Sequence, residues 1–478
     1  MPRRNLYLLS AIALISLACY KKADSAYRSH YGQMIATIVK VFEEIDRNYV
    51  KEVDERQVFE GAIKGMVDRL DDPYSGYEPP QEAQEFQQSL DQKFGGIGIE
   101  LAIDPKTKRL TVMSPMIGTP AYNAGILAED QLLSIDGEDT TGFDMEDAVR
   151  RLRGKPGQKV RLTVLHAGQA TAVEIELQRD VINVPSVLGD WRDANGQWKF
   201  VLAGDPRIGY LRVTTFGEQT VRELRSALDD LSQDGIQALV VDLRGNTGGY
   251  LSAAIGTCDF FVKDGEIVSI RGRETQPHEA TTEGPAEGGP AQGDKGPANV
   301  TPRFKNEQRR LASGSAAYTD WPMAILVNRG SASASEIVAA CLQDHQRAMI
   351  VGERTWGKGT VQNVIPLEGG KSALRLTIAS FWRPSDKNIH RFADAKEDDD
   401  WGVRPNPGFE VKLTDDERKK LFEERRARDV IQKRDAAESM TNRPGFDPQL
   451  DKAVEALRQR LSEPAVGARQ DLPTEFNP

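Results

Sequence analysis

The apolar positions of this chain change their period several times. Ile35, Ile38, Val39, Val41, Phe42 and Ile45 recur at helical spacing, and Phe59, Ile63, Met66 and Val67 repeat it, so residues 25–88 read as helical. Turn chemistry at Asp71-Asp72-Pro73-Tyr74-Ser75-Gly76-Tyr77 interrupts them. Residues 89–180 read as a compact α+β unit. Phe94-Gly95-Gly96-Ile97-Gly98-Ile99 leads into a strand, and Leu110–Met113, Gln131–Ile135, Val160–Leu165 and Ala172–Leu177 follow as strands. A short helix beginning at Pro120 ends in Gly125, and Met145–Leu152 is an amphipathic helix.

From 181 to 412 the pattern becomes continuous apolar runs separated by helical stretches. Ile208–Val213, Ala238–Leu243, Met323–Val327 and Met349–Gly352 read as buried strands, with Val221–Leu231 as a helix between the first two. Such alternation implies parallel strands joined by crossovers. Residues 274–316 are rich in Gly, Pro, Glu and Thr and read as a mobile surface insertion, not a domain. In the 413–478 region, residues 414–438 predict a highly charged helix and residues 447–461 an amphipathic one, through Leu450, Val454, Leu457 and Leu461.

Composition narrows the function classes. A chain of 478 residues exceeds one ordinary domain, and its 39% apolar content supports real cores. The mean hydropathy of −0.50 argues against a polytopic membrane protein. A net charge of −10 lacks the basic footprint of a nucleic-acid binder. Three cysteines and five histidines show no disulfide framework and no metal-ligand spacing, so neither a metal nor an organic cofactor is expected. At the N-terminus, Arg3 and Arg4 precede an apolar run from Leu6 to Tyr20, shorter than the roughly 20 residues a transmembrane helix needs. Residues 1–24 therefore predict a signal peptide or short membrane anchor, placing the protein in the periplasm or cell envelope. Cys19 offers lipid attachment as an alternative, but Ser16 stands where a lipobox normally carries Leu or Val.

Candidate chemistry lies in two segments 25 positions apart. Ser331-Ala332-Ser333-Ala334-Ser335-Glu336 follows a predicted strand and opens a helix whose stripe is Ile337, Val338, Cys341 and Leu342. Ser333 thus sits at the helix mouth, where N–H groups lacking helical partners favour an oxyanion, and Ala334 N–H is the donor if Ser333 attacks a carbonyl. Plain N-capping explains a serine there equally well. Lys358, in Trp356-Gly357-Lys358-Gly359-Thr360-Val361-Gln362, can act as the base such a serine needs if its surroundings favour the neutral amine. Gln362 shares its face in extended geometry and could orient the amine. The loop resembles a phosphate-binding tail only superficially, since no upstream glycine has the required spacing. A third turn, Asp242-Leu243-Arg244-Gly245-Asn246-Thr247-Gly248-Gly249, could supply a second oxyanion donor from Gly248 or Gly249; a structural turn with an Asp242–Arg244 pair is the alternative.

In this order and spacing the three segments resemble the carboxyl-terminal processing peptidases (tail-specific proteases), a Ser–Lys serine protease family. Gly95–Ile99, with Ala121, Ala124-Gly125 and Ile135-Asp136-Gly137, resembles the PDZ domain that family carries, and Asp72–Tyr77 matches the segment before it. The resemblance covers roughly residues 35–412. It implies a multidomain α/β and α+β fold: a PDZ domain at 89–180 and a mixed α/β protease core of the crotonase and Clp-protease kind at 181–412, flanked by helical N- and C-terminal regions. It places the nucleophile on Ser333, the base on Lys358 and the assisting amide on Gln362. It also implies that Gly96, Ile97, Gly98 and Ile99 receive the C-terminal carboxylate of a peptide added as a strand. Protein substrates with free C-termini are then the expected partners, with room for an adaptor protein and N-terminal membrane association.

The remaining features point elsewhere. His345 and His390 lack an acid at a telling position, Asp398-Asp399-Asp400 reads as a solvated loop, and Cys341 belongs to an apolar stripe. An esterase of the α/β-hydrolase type would need a Gly-x-Ser-x-Gly elbow that is absent. A catalytically inactive PDZ scaffold that only captures protein C-termini is the rival reading.

Overall fold

Four of the apolar runs assemble into one parallel sheet, and their lack of alternation has a simple cause: both faces are covered. The computed structural model describes residues 15–16, 30–193, 196–273, 307–430 and 445–462. Most of the predicted targeting segment, Cys19 included, most of the 274–316 insertion and the end of the predicted 414–438 helix lie outside them. Contacts divide the chain into two units, Met1–Glu82 with Asn363–Leu376, and Ala83–Gln362 with Thr377–Pro478.

In the first unit, helices His30–Asn48 and Glu55–Asp68 replace the continuous helical reading of the N-terminal region. Asp54 caps the second, accepting from the amides of Arg56 and Gln57. Of the predicted stripe of the first helix, Ile35, Ile38, Val39 and Val41 are exposed and Phe42 and Ile45 are half-buried. The turn residues end in a strand, Gly76–Glu78, pairing antiparallel with residues 373–375. Three residues are too few to show a period, so the sequence reading missed this strand.

The second unit begins with the PDZ-like region. Its strands are β1 (Lys93–Gly96), β2 (Ile99–Ile103), β3 (Leu110–Pro115) and β4 (Gln131–Ile135), then helix α1 (Met145–Leu152), β5 (Lys159–Leu165), β6 (Val173–Gln178) and β7 (Asp180–Asn183). The sheet order β2-β3-β4-β5-β6 leaves β2 at an edge. Ile97, Val112, Leu132, Ile135, Ala148, Leu152, Leu162 and Val164 share its core. Strands β1 and β7 pair antiparallel, joining the entry and exit of the region.

The α/β core contains β8 (Ile208–Val213), α2 (Thr220–Gln233), β9 (Ala238–Asp242), α3 (Leu251–Cys258), β10 (Glu266–Gly272), β11 (Glu307–Leu311), β12 (Met323–Val327), α4 (Ala334–Asp344), β13 (Ala348–Gly352), β14 (Thr360–Leu367), β15 (Ser372–Trp382), α5 (Asp415–Asp429) and α6 (Pro448–Ser462). Strands β8, β9, β12 and β13 run parallel in that spatial order. Leu211, Val213, Leu239, Val241, Ile325 and Val327 face α2, α3 and α4. The alternate residues Tyr210, Val240, Ala324, Leu326 and Val351 meet Leu450, Ala453, Val454 and Leu457 of α6. The C-terminal helix therefore supplies half the cover of the sheet. Strand β11, inside the sequence predicted as an insertion, pairs antiparallel with β10 and corrects that boundary. Its Glu-Gln-Arg-Arg-Leu sequence has no apolar alternation, because only an edge partner holds it.

Helix α5 docks through charge. Arg418 pairs with Glu353 at 2.9 Å, Arg428 with Asp190 at 3.0 Å and Asp429 with Arg212 at 2.6 Å. Arg425 reaches Asp242, which is buried beside Arg244. Arg244 in turn holds Asp447 at 2.8 Å and Gln449 at 3.0 Å, just before and within α6. Burial by itself would raise the Asp242 carboxyl; Arg244 and Arg425 hold it well below the ordinary carboxylate range. Asp242 and Arg244 are thus a structural pair anchoring the C-terminal helices.

Because Leu457 is fully buried on that face, Leu457→Ala should destabilise the protein by about 2–5 kcal/mol in urea unfolding. A loss below about 0.5 kcal/mol would show that α6 does not complete the core.

Candidate active site

Strand β12 ends at Val327, and the turn that follows is fixed by Asn328, whose Oδ1 accepts from the amides of Gly245 and Gly330, both at 2.9 Å. Three serines then compete for the role of nucleophile. Ser331 is buried; its hydroxyl donates to Leu243 O at 2.7 Å and accepts from Asn328 N–H at 3.0 Å. Ser335 is also buried, its hydroxyl donating to Asn246 O at 2.8 Å. Ser333 alone of the three is half-buried. Its backbone has φ 55 and ψ −114, whereas an ordinary N-cap lies in the β region. A serine at such a dihedral is strained, and the surrounding bonds must hold it there.

The 242–249 turn packs directly against this serine. A Cβ on Gly248 would lie 2.8 Å from Ser333 Cβ and 3.1 Å from Ala334 N, so only glycine fits at its φ of +110. The three expected oxyanion donors differ, however. Ala334 N–H opens α4 and has no acceptor among the described residues. Gly248 N–H donates to Asn246 Oδ1 at 2.9 Å, which engages it inside the turn. The bonds from Phe216 N to Gly248 O (2.9 Å) and Tyr250 N to Phe216 O (2.7 Å) form a parallel bridge, which turns Gly249 N–H away from Phe216. Asn246 is fully buried and donates to Val213 O at 2.9 Å.

The lysine-bearing loop closes over the helix mouth. Trp356 N–H donates to Ser331 O at 2.9 Å. Glu336, fully buried in the first turn of α4, receives four bonds from both sides. Its Oε1 accepts from Thr355 Oγ1 at 2.5 Å and Gly357 N at 2.7 Å; its Oε2 accepts from Lys358 N at 2.8 Å and Ser333 N at 2.9 Å. Burial pushes this carboxyl up to about 7, against the lowering effect of those four donors. Gly357, at φ +88, and Gly359 lie under residues 389–391, where added Cβ atoms would come within 2.6 Å of Arg391 Cβ and 2.2 Å of His390 N. Lys358 is half-buried. The Gln362 amide nitrogen donates to Thr360 Oγ1 at 2.8 Å and Thr377 Oγ1 at 3.1 Å, which leaves its carbonyl oxygen as the acceptor.

The other titratable candidates have structural surroundings. His345 Nε2 lies 2.7 Å from Glu266 O, and Asp400 pairs with Lys387 at 2.9 Å. Cys341 is buried. Among the described residues no three or more His, Cys, Asp or Glu side chains cluster as metal ligands.

At the Gly96–Ile99 loop, Ile97 O accepts from Ala121 N at 3.0 Å, and Gly98 O from Met116 N at 2.9 Å and Thr119 Oγ1 at 3.1 Å. A trans peptide directs each following N–H the opposite way, so the amides of Gly98 and Ile99 point away from residues 116–121. Gly98, at φ +77, also leaves the space that Thr119 fills; a Cβ would lie 2.4 Å from Thr119 Cβ.

Three family models match parts of the chain. Residues 207–401 match peptidase family S41, residues 111–165 match the PDZ domain, and residues 13–80 match the activating protease CtpB N-terminal domain. The carboxy-terminal-processing protease of Bartonella bacilliformis is 36% identical, covering 75% of this chain and 73% of its own. The carboxy-terminal processing protease CtpA of Bacillus subtilis is 31% identical over 74% of this chain and 66% of its own length. The carboxyl-terminal-processing protease of a Synechocystis species is 32% identical over 69% and 68%.

Glu336 also makes stability depend on pH. Its folded value, near 7, lies above the ordinary 4.5, so between these the folded chain binds more protons than the unfolded one. The group's contribution to stability is therefore full below pH 4.5 and falls as pH rises through 7, by up to about 3 kcal/mol. In urea unfolding from pH 4.5 to 7.5, Glu336→Gln should lack this component of the slope; identical slopes would contradict it.

Proposed function

Because the chain belongs to peptidase family S41, among the carboxy-terminal processing proteases, we propose that it is an exported serine endopeptidase that cleaves proteins near their carboxyl termini through a Ser333–Lys358 dyad. The observation that carries this reading is the strained Ser333 backbone at the mouth of α4, tied by one carboxylate to the loop that bears Lys358.

Ser333 Oγ attacks the peptide carbonyl while its proton passes to the neutral amine of Lys358. The tetrahedral oxyanion is met by Ala334 N–H and, since Gly248 N–H is engaged by Asn246, by Gly249 N–H. The resulting ammonium returns the proton to the leaving nitrogen, releasing the C-terminal fragment. Water, deprotonated by the regenerated amine, then hydrolyses the ester and restores Ser333. The Gln362 carbonyl oxygen orients the amine. No step calls for a metal or organic cofactor.

Recognition falls to the PDZ region. A substrate tail adds to the edge of β2, with its terminal carboxylate on the amides of Gly98 and Ile99. The apolar run Leu6–Tyr20 supports export to the cell envelope.

Ser333→Ala and Lys358→Ala should each lower kcat by at least about 1000-fold on a peptide with a free apolar C-terminus, without changing the folded fraction. Near-native turnover in either variant would refute the dyad. Amidating the peptide C-terminus should raise KM about tenfold or more, because it removes the charge that strengthens those hydrogen bonds; an unchanged KM would separate tail binding from this loop.

A further inference from the structure

Lys358 and Ser333 lie on different segments, and a dyad works only if their relative placement is held to a fraction of an ångström. Three residues after the strained serine stands an acidic side chain with no surface exposure and no role in the chemistry proposed above. We propose that Glu336 is a positioning residue for the dyad: its carboxylate sets the register of the lysine-bearing loop on the serine turn. This rests on the Ser–Lys reading of the same site.

The bonding pattern supports it in detail. The carboxylate has about four good acceptor directions, and four donors at 2.5–2.9 Å fill them. Thr355 Oγ1 already accepts from Val403 N at 2.7 Å, so its own hydrogen is directed at Glu336 Oε1. No lone pair remains for a substrate, which separates Glu336 from a catalytic residue. The two donors on Oε2 are the amides of the nucleophile and the base themselves. Its hold on Ser333 N–H helps keep that residue at φ 55, and its hold on Lys358 N–H fixes the origin of the lysine side chain. The seal is tight: a Cβ on Gly402, itself at φ +57, would lie 2.8 Å from Thr355 Oγ1 and 3.3 Å from Glu336 Oε1.

Substitutions should separate the two halves of this arrangement. Alanine removes both acceptor oxygens and with them all four bonds. Glutamine keeps one oxygen, and its best orientation places that oxygen on the Ser333 and Lys358 amides. Its NH2 then faces Thr355 Oγ1, which can accept, and the Gly357 amide, which loses its partner. The expected order in kcat is therefore Glu above Gln above Ala, with losses of about 10-fold for Glu336→Gln and at least about 100-fold for Glu336→Ala. KM should stay within about threefold of wild type in both, because tail capture by the PDZ loop does not involve this carboxylate.

The experiment measures kcat and KM on a free-C-terminus peptide, with the folded fraction from calorimetry and tail affinity from fluorescence anisotropy. Ser333→Ala and Lys358→Ala are run beside them. Folded Glu336→Ala with kcat within threefold of wild type would overturn the proposal, as would a loss lying in KM alone. If Glu336→Ala does not fold, Glu336→Gln decides: kcat within twofold of wild type overturns it, and a tenfold loss at unchanged KM supports it. Activity surviving in Ser333→Ala or Lys358→Ala would instead overturn the underlying dyad.

Discussion

A single buried carboxylate ties the serine turn to the lysine-bearing loop. Glu336 has no exposure to solvent, and an ion in that position is tolerated only where hydrogen bonds replace hydration. The replacements come from Ser333 on one side and from Thr355, Gly357 and Lys358 on the other. The backbone closes tightly around that group at Gly402, where a Cβ would lie 2.8 Å from Thr355 Oγ1 and 3.3 Å from Glu336 Oε1. Strain at Ser333 is affordable because the same network opposes its relaxation.

Behind the site, the parallel sheet supplies rigidity and the C-terminal region supplies its second cover. Strand ends at Asp242 and Val327 position the two turns, while α4 packs its apolar stripe on one face and α6 packs Leu450, Val454 and Leu457 on the other. The buried group of Asp242, Arg244, Asp447 and Arg425 connects these layers. Removing any one partner would leave a buried charge without compensation, a cost of about 3–5 kcal/mol. Helix α5 has almost no apolar face and stays docked because its arginines meet core acids.

Much of this was legible in the chain. Buried parallel strands announce themselves as short continuous apolar runs, so β8, β9, β12 and β13 could be read directly as parallel strands, though not their spatial order. So could the PDZ-like region, whose period-2 strands and Gly125 and Gly137 turns are local signals. What escaped was non-local. Strand β11 carries a polar sequence and exists only because β10 offers it an edge. Glu336 stood inside the serine motif, yet nothing in its sequence neighbourhood says that its partners lie 19–22 positions away. The oxyanion assignment to Gly248 took any glycine amide in the turn as available; the Asn246 side chain, two residues earlier, claims it. The spacing Asn-x-Gly was the signal that could have found this, since an Asn oxygen commonly accepts from the amide two residues on.

In the proposed mechanism Ser333 Oγ is the atom that bonds to the substrate carbonyl. A peptide aldehyde with a free carboxyl terminus, carrying 13C at the aldehyde carbon, tests it by NMR. Wild-type protein should convert the trigonal carbon signal to a tetrahedral hemiacetal signal, and Ser333→Ala should abolish the conversion. A tetrahedral signal that persists in Ser333→Ala, or an aldehyde that competes with substrate while its carbon stays trigonal, would contradict it.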